Sequence, residues 1–273
     1  MNTHIAIGAV VAIVLGGVLL PGAAHADAAA TPGTEATAER PWEKADDVVK
    51  ATETDLQTGG LLAVAGHVPD LERVLADASQ SFAAADTGTG TIYVLVDGPT
   101  EALVVLAQAA SEKNTAAPGR QVVAVRNPYP LVSLYLGSYY NEISKPEEAL
   151  RVLDAGLALS AAHSLELGHH CPLLISERGA ALMSLKRWPD ALADYDQGLA
   201  IEGLEGRDRA QLYRGRGFTL TELGRLDEAE QAYRESLKLD PDNTIAQGEL
   251  EYIAHLRAGG TKEPGGITLP KTQ

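Results

Sequence analysis

The chain has 273 residues, 45% of them hydrophobic, and a formal net charge of −15. This hydrophobic content excludes a wholly disordered chain, and the length allows one or two domains with a real core. An acidic chain repels phosphate backbones, so nucleic acid is not an expected partner.

The first residues read as an export signal, residues 1–26. Ile5 to Leu20 is apolar and broken only by glycines, Pro21 ends the run, and Ala24-His25-Ala26 offers a small-x-small cleavage site before Asp27. The amino terminus and His4 stand where Lys or Arg would be usual. The run of ~16 residues is shorter than the ~20 of a spanning helix. Cleavage after Ala26, a periplasmic or secreted location and no membrane span thereafter are the expectations; a retained anchor is the alternative. The single cysteine, Cys171, cannot form an intramolecular disulfide, so stability must come from packing.

Residues 27–41 are mostly Ala, Thr, Gly, Pro and Glu and read as a disordered linker. Residues 42–128 read as a small α/β segment. A helix runs from Trp42 to Leu56 and stops at Gly59-Gly60. A second follows Pro69, with Leu71, Val74, Leu75, Ala78 and Phe82 on one face. Thr91 to Val96 is a β-branched and aromatic run of strand length. Glu101 to Glu112 is helical in pattern, and Gln121 to Val125 is a second strand, which suggests a βαβ unit. Asp97-Gly98-Pro99-Thr100 stands where α/β proteins bind ligands, but it lacks a phosphate-loop Lys and a Gly fingerprint and reads as a strand-to-helix turn.

From Tyr129 to Ala258 one pattern recurs: a Gly, an Ala twelve residues on, and a large residue four further. The copies are Gly137–Ala149–Leu153, Gly179–Ala191–Tyr195 and Gly217–Ala229–Tyr233. Fixed internal spacing at this period marks a helical repeat array. Helix pairs are expected from Pro130 and Pro146, from Pro172 and Pro189, and from Arg209 and Asp227, followed by a capping helix from Thr244 to Ala258. Residues 259–273 read as a flexible tail.

These residues resemble the tetratricopeptide repeat family. The third copy matches best, with Tyr213, Gly217, Leu220, Ala229, Tyr233 and Pro241 at motif positions 4, 8, 11, 20, 24 and 32. The expected fold is therefore mainly α: a helical-hairpin repeat solenoid of about three pairs (129–258) plus a capping helix, preceded by the βαβ-like segment. The copies depart from the family in two ways. The Gly spacings are 42 and 38 residues against a nominal ~34, and Arg178 and Arg216 replace Leu at position 7. The stems of these arginines can pack while the guanidiniums reach carboxylates such as Glu177 or Asp196.

The resemblance implies an inner face on the first helix of each pair, where Leu134, Tyr135, Ser138 and Asn141, then Ser176, Ala180 and Met183, then Arg214, Phe218 and Thr221 would lie, with Tyr252 from the cap. The peptide- or protein-binding candidates are Tyr135, Asn141, Met183, Arg214, Phe218 and Tyr252. The family's clamp for chaperone tails needs Lys and Asn where Leu134 and Ser138 stand, so that ligand is not expected. Arg207, Arg209, Arg214 and Arg216 form a basic cluster, read either as a carboxylate dock or as charge balancing.

No catalytic residue, cofactor or metal site is expected. His169-His170-Cys171, with His163 nearby, lacks the separated ligands a tetrahedral metal needs and the orienting partner a nucleophile needs. The leading expectation is a non-enzymatic protein-interaction adaptor in the bacterial envelope, binding a peptide or protein on the concave repeat surface. The alternatives are a small-ligand binder or enzyme using the βαβ segment with the repeats as a docking arm, and structural self-assembly into a homo-oligomer.

Overall fold

The computed structural model describes residues 13–14, 40–81, 91–96, 102–104, 106–107, 121–163 and 172–261. The cleavage site, the Asp97–Thr100 turn, His169-His170-Cys171 and residues 262–273 lie outside the described residues.

Helix α1 runs from Pro41 to Gly59, so the first ordered turn begins inside the stretch read as linker. Pro41 fits a first helical position because its missing N–H would be unpaired there anyway. Glu43 accepts the Arg40 backbone N–H at 3.1 Å and its guanidinium at 3.2 Å. Gly60, at φ 64°, ends the helix in a conformation that side chains disfavour. A 3₁₀ turn over Leu61–Gly66, absent from the sequence reading, leads to α2, Val68–Ser81.

Strands β2 (Thr91–Val96) and β3 (Gln121–Arg126) pair in parallel, as a βαβ unit requires, and residues 102–104 and 106–107 between them are helical. Two residues of the apolar N-terminal run, Ile13–Val14 (β1), pair in parallel with the other side of β3, giving the order β1-β3-β2. Val96 and Ala124 of the sheet pack with Ala102 and Leu106.

The repeats follow: α3 (Tyr129–Glu142) with α4 (Pro146–His163), α5 (Pro172–Ser184) with α6 (Trp188–Leu199), α7 (Gly206–Glu222) with α8 (Leu226–Leu239), then α9 (Thr244–Arg257). Each pair packs as a hairpin, and α3, α5, α7 and α9 also touch in succession along one side. Ser144 (φ 59°) and Lys186 (φ 57°) turn the first two hairpins, and Gly224 (φ 75°) turns the third. The signature glycines sit where a side chain cannot. A methyl on Gly137 would lie 2.5 Å from Leu153, one on Gly179 2.6 Å from Tyr195, and one on Gly217 2.9 Å from Tyr233.

Helices α1 and α2 stack on this array, and their core also takes in Leu95 and Val125 of the strands, while Arg126 of β3 pairs with Asp46 and Glu53 of α1 at 3.5 Å. Helix α1 lies against α3, and α2 lies against both α3 and α4. Ala45, Val49, Leu71, Val74 and Leu75 share one buried core with Val132, Leu136, Val152 and Leu153. The first helix pair is thereby covered on its open side, and α1 extends the inner row to α1, α3, α5, α7 and α9.

Candidate functional site

Polar side chains span the seams between neighbouring inner helices. The Tyr135 hydroxyl on α3 donates to Glu53 Oε1 on α1 at 3.1 Å. Asn141 Nδ2 on α3 donates to the Glu177 carbonyl at 3.0 Å and to its carboxylate at 2.9 Å on α5. Gln211 Nε2 on α7 donates to Ser176 Oγ on α5 at 3.1 Å. Burial, then Glu53, pushes the Tyr135 hydroxyl up to about 12.

Of the six binding candidates, five are half-buried and Tyr252 is buried. Tyr135 and Asn141 bridge seams. Met183 Sδ lies 3.9 Å from the Tyr195 hydroxyl. Arg214 Nη1 donates to Asp240 Oδ2 at 3.3 Å and Ser236 Oγ at 3.4 Å, which ties α7 to the end of α8. Phe218 packs beside Trp188, ring centroids 6.5 Å apart. Tyr252 is buried, at 3% exposure. Thr221 is buried as well, its hydroxyl donating to the Gly217 carbonyl at 3.0 Å. Leu134, Ser138 and Ala180 remain part-exposed along the row, and Leu173 and Ile245 are exposed at the starts of α5 and α9.

The four clustered arginines do not act together. Arg209 Nη1 donates to the carbonyls of Leu199 (3.2 Å) and Leu204 (3.5 Å) and stands over the Tyr213 ring. Arg216 Nε pairs with Asp196 at 2.6 Å. Arg214 is held by Asp240, and Arg207 is exposed at the start of α7. Charge balancing is the arrangement found for Arg214 and Arg216.

The outer side carries a polar cluster that sequence reasoning reached only in part. Arg178 makes a bidentate pair with Asp194 (Nη2 to Oδ1 2.7 Å, Nε to Oδ2 2.8 Å) and a further bond to Asp154 at 3.1 Å. Asp194 is buried. These groups, with Leu182, Arg187 and Asp190, line a cavity of about 210 Å³. Its charges are matched internally, Arg187 pairing with Asp190. The signal was present: an Asp one residue past the large position of one repeat and an Arg just before the Gly of the next occur twice, as Asp154/Arg178 and Asp196/Arg216. Among the described residues no group of three or more His, Cys, Asp or Glu could hold a metal, and no helix is long and apolar enough to cross a membrane.

Residues 172–242 match the tetratricopeptide repeat family model. The chain is 32% identical over 111 residues to mouse dynein axonemal assembly factor 4, covering 38% of this chain and 26% of that protein. It is 29% identical over 104 residues to small glutamine-rich tetratricopeptide repeat-containing protein 2 of Mycosarcoma maydis, covering 38% and 28%. The chain thus spans little more than a quarter of the length of these relatives. Among solved structures it is similar to the first TPR of Spaghetti (RPAP3) bound to the HSP90 peptide SRMEEVD, at 27% identity and TM-score 0.42, covering 49% of this chain and 99% of that one. It is also similar to MamA from Desulfovibrio magneticus RS-1, at 16% identity and TM-score 0.45, covering 80% and 86%. Residues 172–242 are thus tetratricopeptide repeats, and the registered Gly and Ala positions and the hairpin α3–α4 before them follow the same pattern.

Proposed function

We propose that this chain is an exported protein-interaction module that docks a peptide or protein partner on the inner face of its array. The observation that carries this reading is the continuous row of α1, α3, α5, α7 and α9. Such stacked hairpins present extended concave surfaces that bury a partner without chemistry. The face is apolar and small at Leu134, Ser138 and Ala180, and its expected cation, Arg214, is already held by Asp240. A partner with apolar side chains and no acidic tail suits it best. No catalytic step enters this reading. The apolar run before Ala24-His25-Ala26 supports export into a bacterial envelope with cleavage after Ala26.

The test is crosslinking capture from envelope extract with the wild-type chain and with Ser138→Arg/Ala180→Arg, which places bulk on the row at positions that are not fully buried. Specific capture by wild type that the double variant loses supports the inner face. Equal capture by both, with circular dichroism unchanged, assigns binding elsewhere. A mature protein beginning at Asp27 supports export; an unprocessed protein in the cytoplasm overturns it.

A further inference from the structure

Helix α9 closes the array by laying one face on α7 and α8. Ala246 and Ile253 on that face are at most 1% exposed and pack with Leu220, Ala229, Ala232 and Tyr233. Asn243 starts the helix, its Oδ1 accepting the Ala246 N–H at 3.0 Å.

Into the same face the sequence places a carboxylate. Glu249 is 6% exposed, and among the described residues it forms no ion pair. Its Oε2 is sealed from solvent without a hydrogen-bond partner, and so is the hydroxyl of Tyr233 on α8. Two buried, unsatisfied oxygens in one helix interface are unusual, because each such group costs roughly 1–3 kcal/mol.

The surroundings favour the neutral acid. Burial holds the Glu249 carboxyl above the usual carboxylate range; the nearby Tyr233 hydroxyl, as a donor to the carboxylate, opposes this, and the Glu222 charge on α7 adds to it. The Thr221 hydroxyl on α7 is turned to the Gly217 carbonyl. The cations of α9 stand in its last turn, where Arg257 pairs with Asp227 and Glu230 of α8. The Tyr233 O–H can donate to Glu249 in either state; a protonated Glu249 adds a second hydrogen and leaves no charge in the buried site. A carboxylate can only accept, and it sits beside a second negative charge.

We infer that the seating of α9 on the third repeat is a proton-controlled latch, with Glu249 as the titrating group and Tyr233 as its counterpart. The neutral acid seats the helix; ionisation loosens it and uncovers the apolar end of the array at Leu220 and Ala232. A carboxyl that is harder to ionise in the folded state contributes stability that is fully present below its unfolded value of about 4.3. That contribution is lost as pH rises through the folded value. Most of the molecule's other carboxylate pairs weaken toward low pH instead, so the effect is local to α9 and opposite in sign to the global trend.

The test is hydrogen exchange of residues 244–257 in the full chain, corrected for intrinsic exchange, from pH 5 to pH 8. The opening constant of α9 is expected to rise about tenfold or more across this range in wild type, and to stay within about twofold in Glu249→Gln. A wild-type α9 with pH-independent protection overturns the latch, as does a Glu249→Gln helix that opens with pH as wild type does. Should Glu249→Gln fail to fold, Glu222→Gln decides. Removing the like charge is expected to lower the folded value of Glu249, so the α9 midpoint moves to lower pH and the rise in opening shrinks. An unmoved midpoint overturns the assignment.

Discussion

Arg216 on α7 places Nε 2.6 Å from Oδ1 of Asp196 on α6. Arg178 on α5 makes the same cross-repeat pairing with Asp154 on α4 at 3.1 Å. Only Arg178 gains a second, buried partner, Asp194, in its own repeat. The two arginines should therefore differ in energetic weight. Arg178→Ala strands a buried carboxylate and is expected to cost about 3 kcal/mol, whereas Arg216→Ala, whose partner is half exposed, should cost under about 1 kcal/mol. Urea denaturation of both variants measures this. Equal small losses would show that Asp194 is hydrated or neutralised once its partner is gone.

Gly179→Ala should destabilise even though Ala is the better helix former. The gain in helix propensity is about 1 kcal/mol. Against it, the new methyl falls 2.6 Å from the Tyr195 ring, which is 2% exposed and also lies against Gly215 on α7. With no room for the ring to move, overpacking should win by about 2 kcal/mol. Gly66→Ala is the control: nothing lies within 4 Å of its new methyl. Melting curves should show a lower midpoint for the first variant and little change for the second.

Tyrosine titration provides a pH signature. Burial first, then neighbouring carboxylates, raises Tyr129, Tyr135 and Tyr140 to about 12. Folding thus holds these phenols protonated, and the stability they contribute is intact below about pH 10, the unfolded value, and lost as pH rises toward 12. Absorbance at the phenolate band should show a late-titrating group of tyrosines that merges with the rest in denaturant. Tyr135→Phe should remove one member and cost about 1 kcal/mol through the lost bond to Glu53.

Cleavage after Ala26 would also change the sheet. Strand β1 leaves with the signal, and β3 keeps only its pairing with β2. Exchange of the Ala124 and Val125 amides should then be faster in the mature chain than in the precursor. Identical exchange would mean that β1 contributes nothing to the sheet in solution.

The array was legible because close helix approach restricts residue type. Gly137, Gly179 and Gly217 stand out in sequence since nothing larger fits beside Leu153, Tyr195 and Tyr233. The stacking of α1 and α2 on α3 carried no such mark; its contacts are Ala, Val and Leu, which any core accepts. The cross-repeat arginines were half legible. Asp196 was among the partners expected, but Glu177 is not the partner of Arg178: it is the preceding residue on the same helix, directed about 100° away, and bonded to Asn141. Inner-face membership could be read from register. Which inner residues would be taken up in seams could not, because that depends on the offset between repeats, and the uneven repeat spacings of 42 and 38 residues set that offset.

Tyr195 bears on how the molecule comes apart. Its ring fills the space beside Gly179 in its own hairpin and beside Gly215 in the next, so one side chain serves both the interior of a repeat and the junction to its neighbour. In a linear array, intrinsic repeat stability and coupling between repeats are separate quantities. Here a single residue sets both, and weakening it would lower the unit and its linkage together. The second and third hairpins should therefore melt as one block, with fraying confined to the ends of the stack.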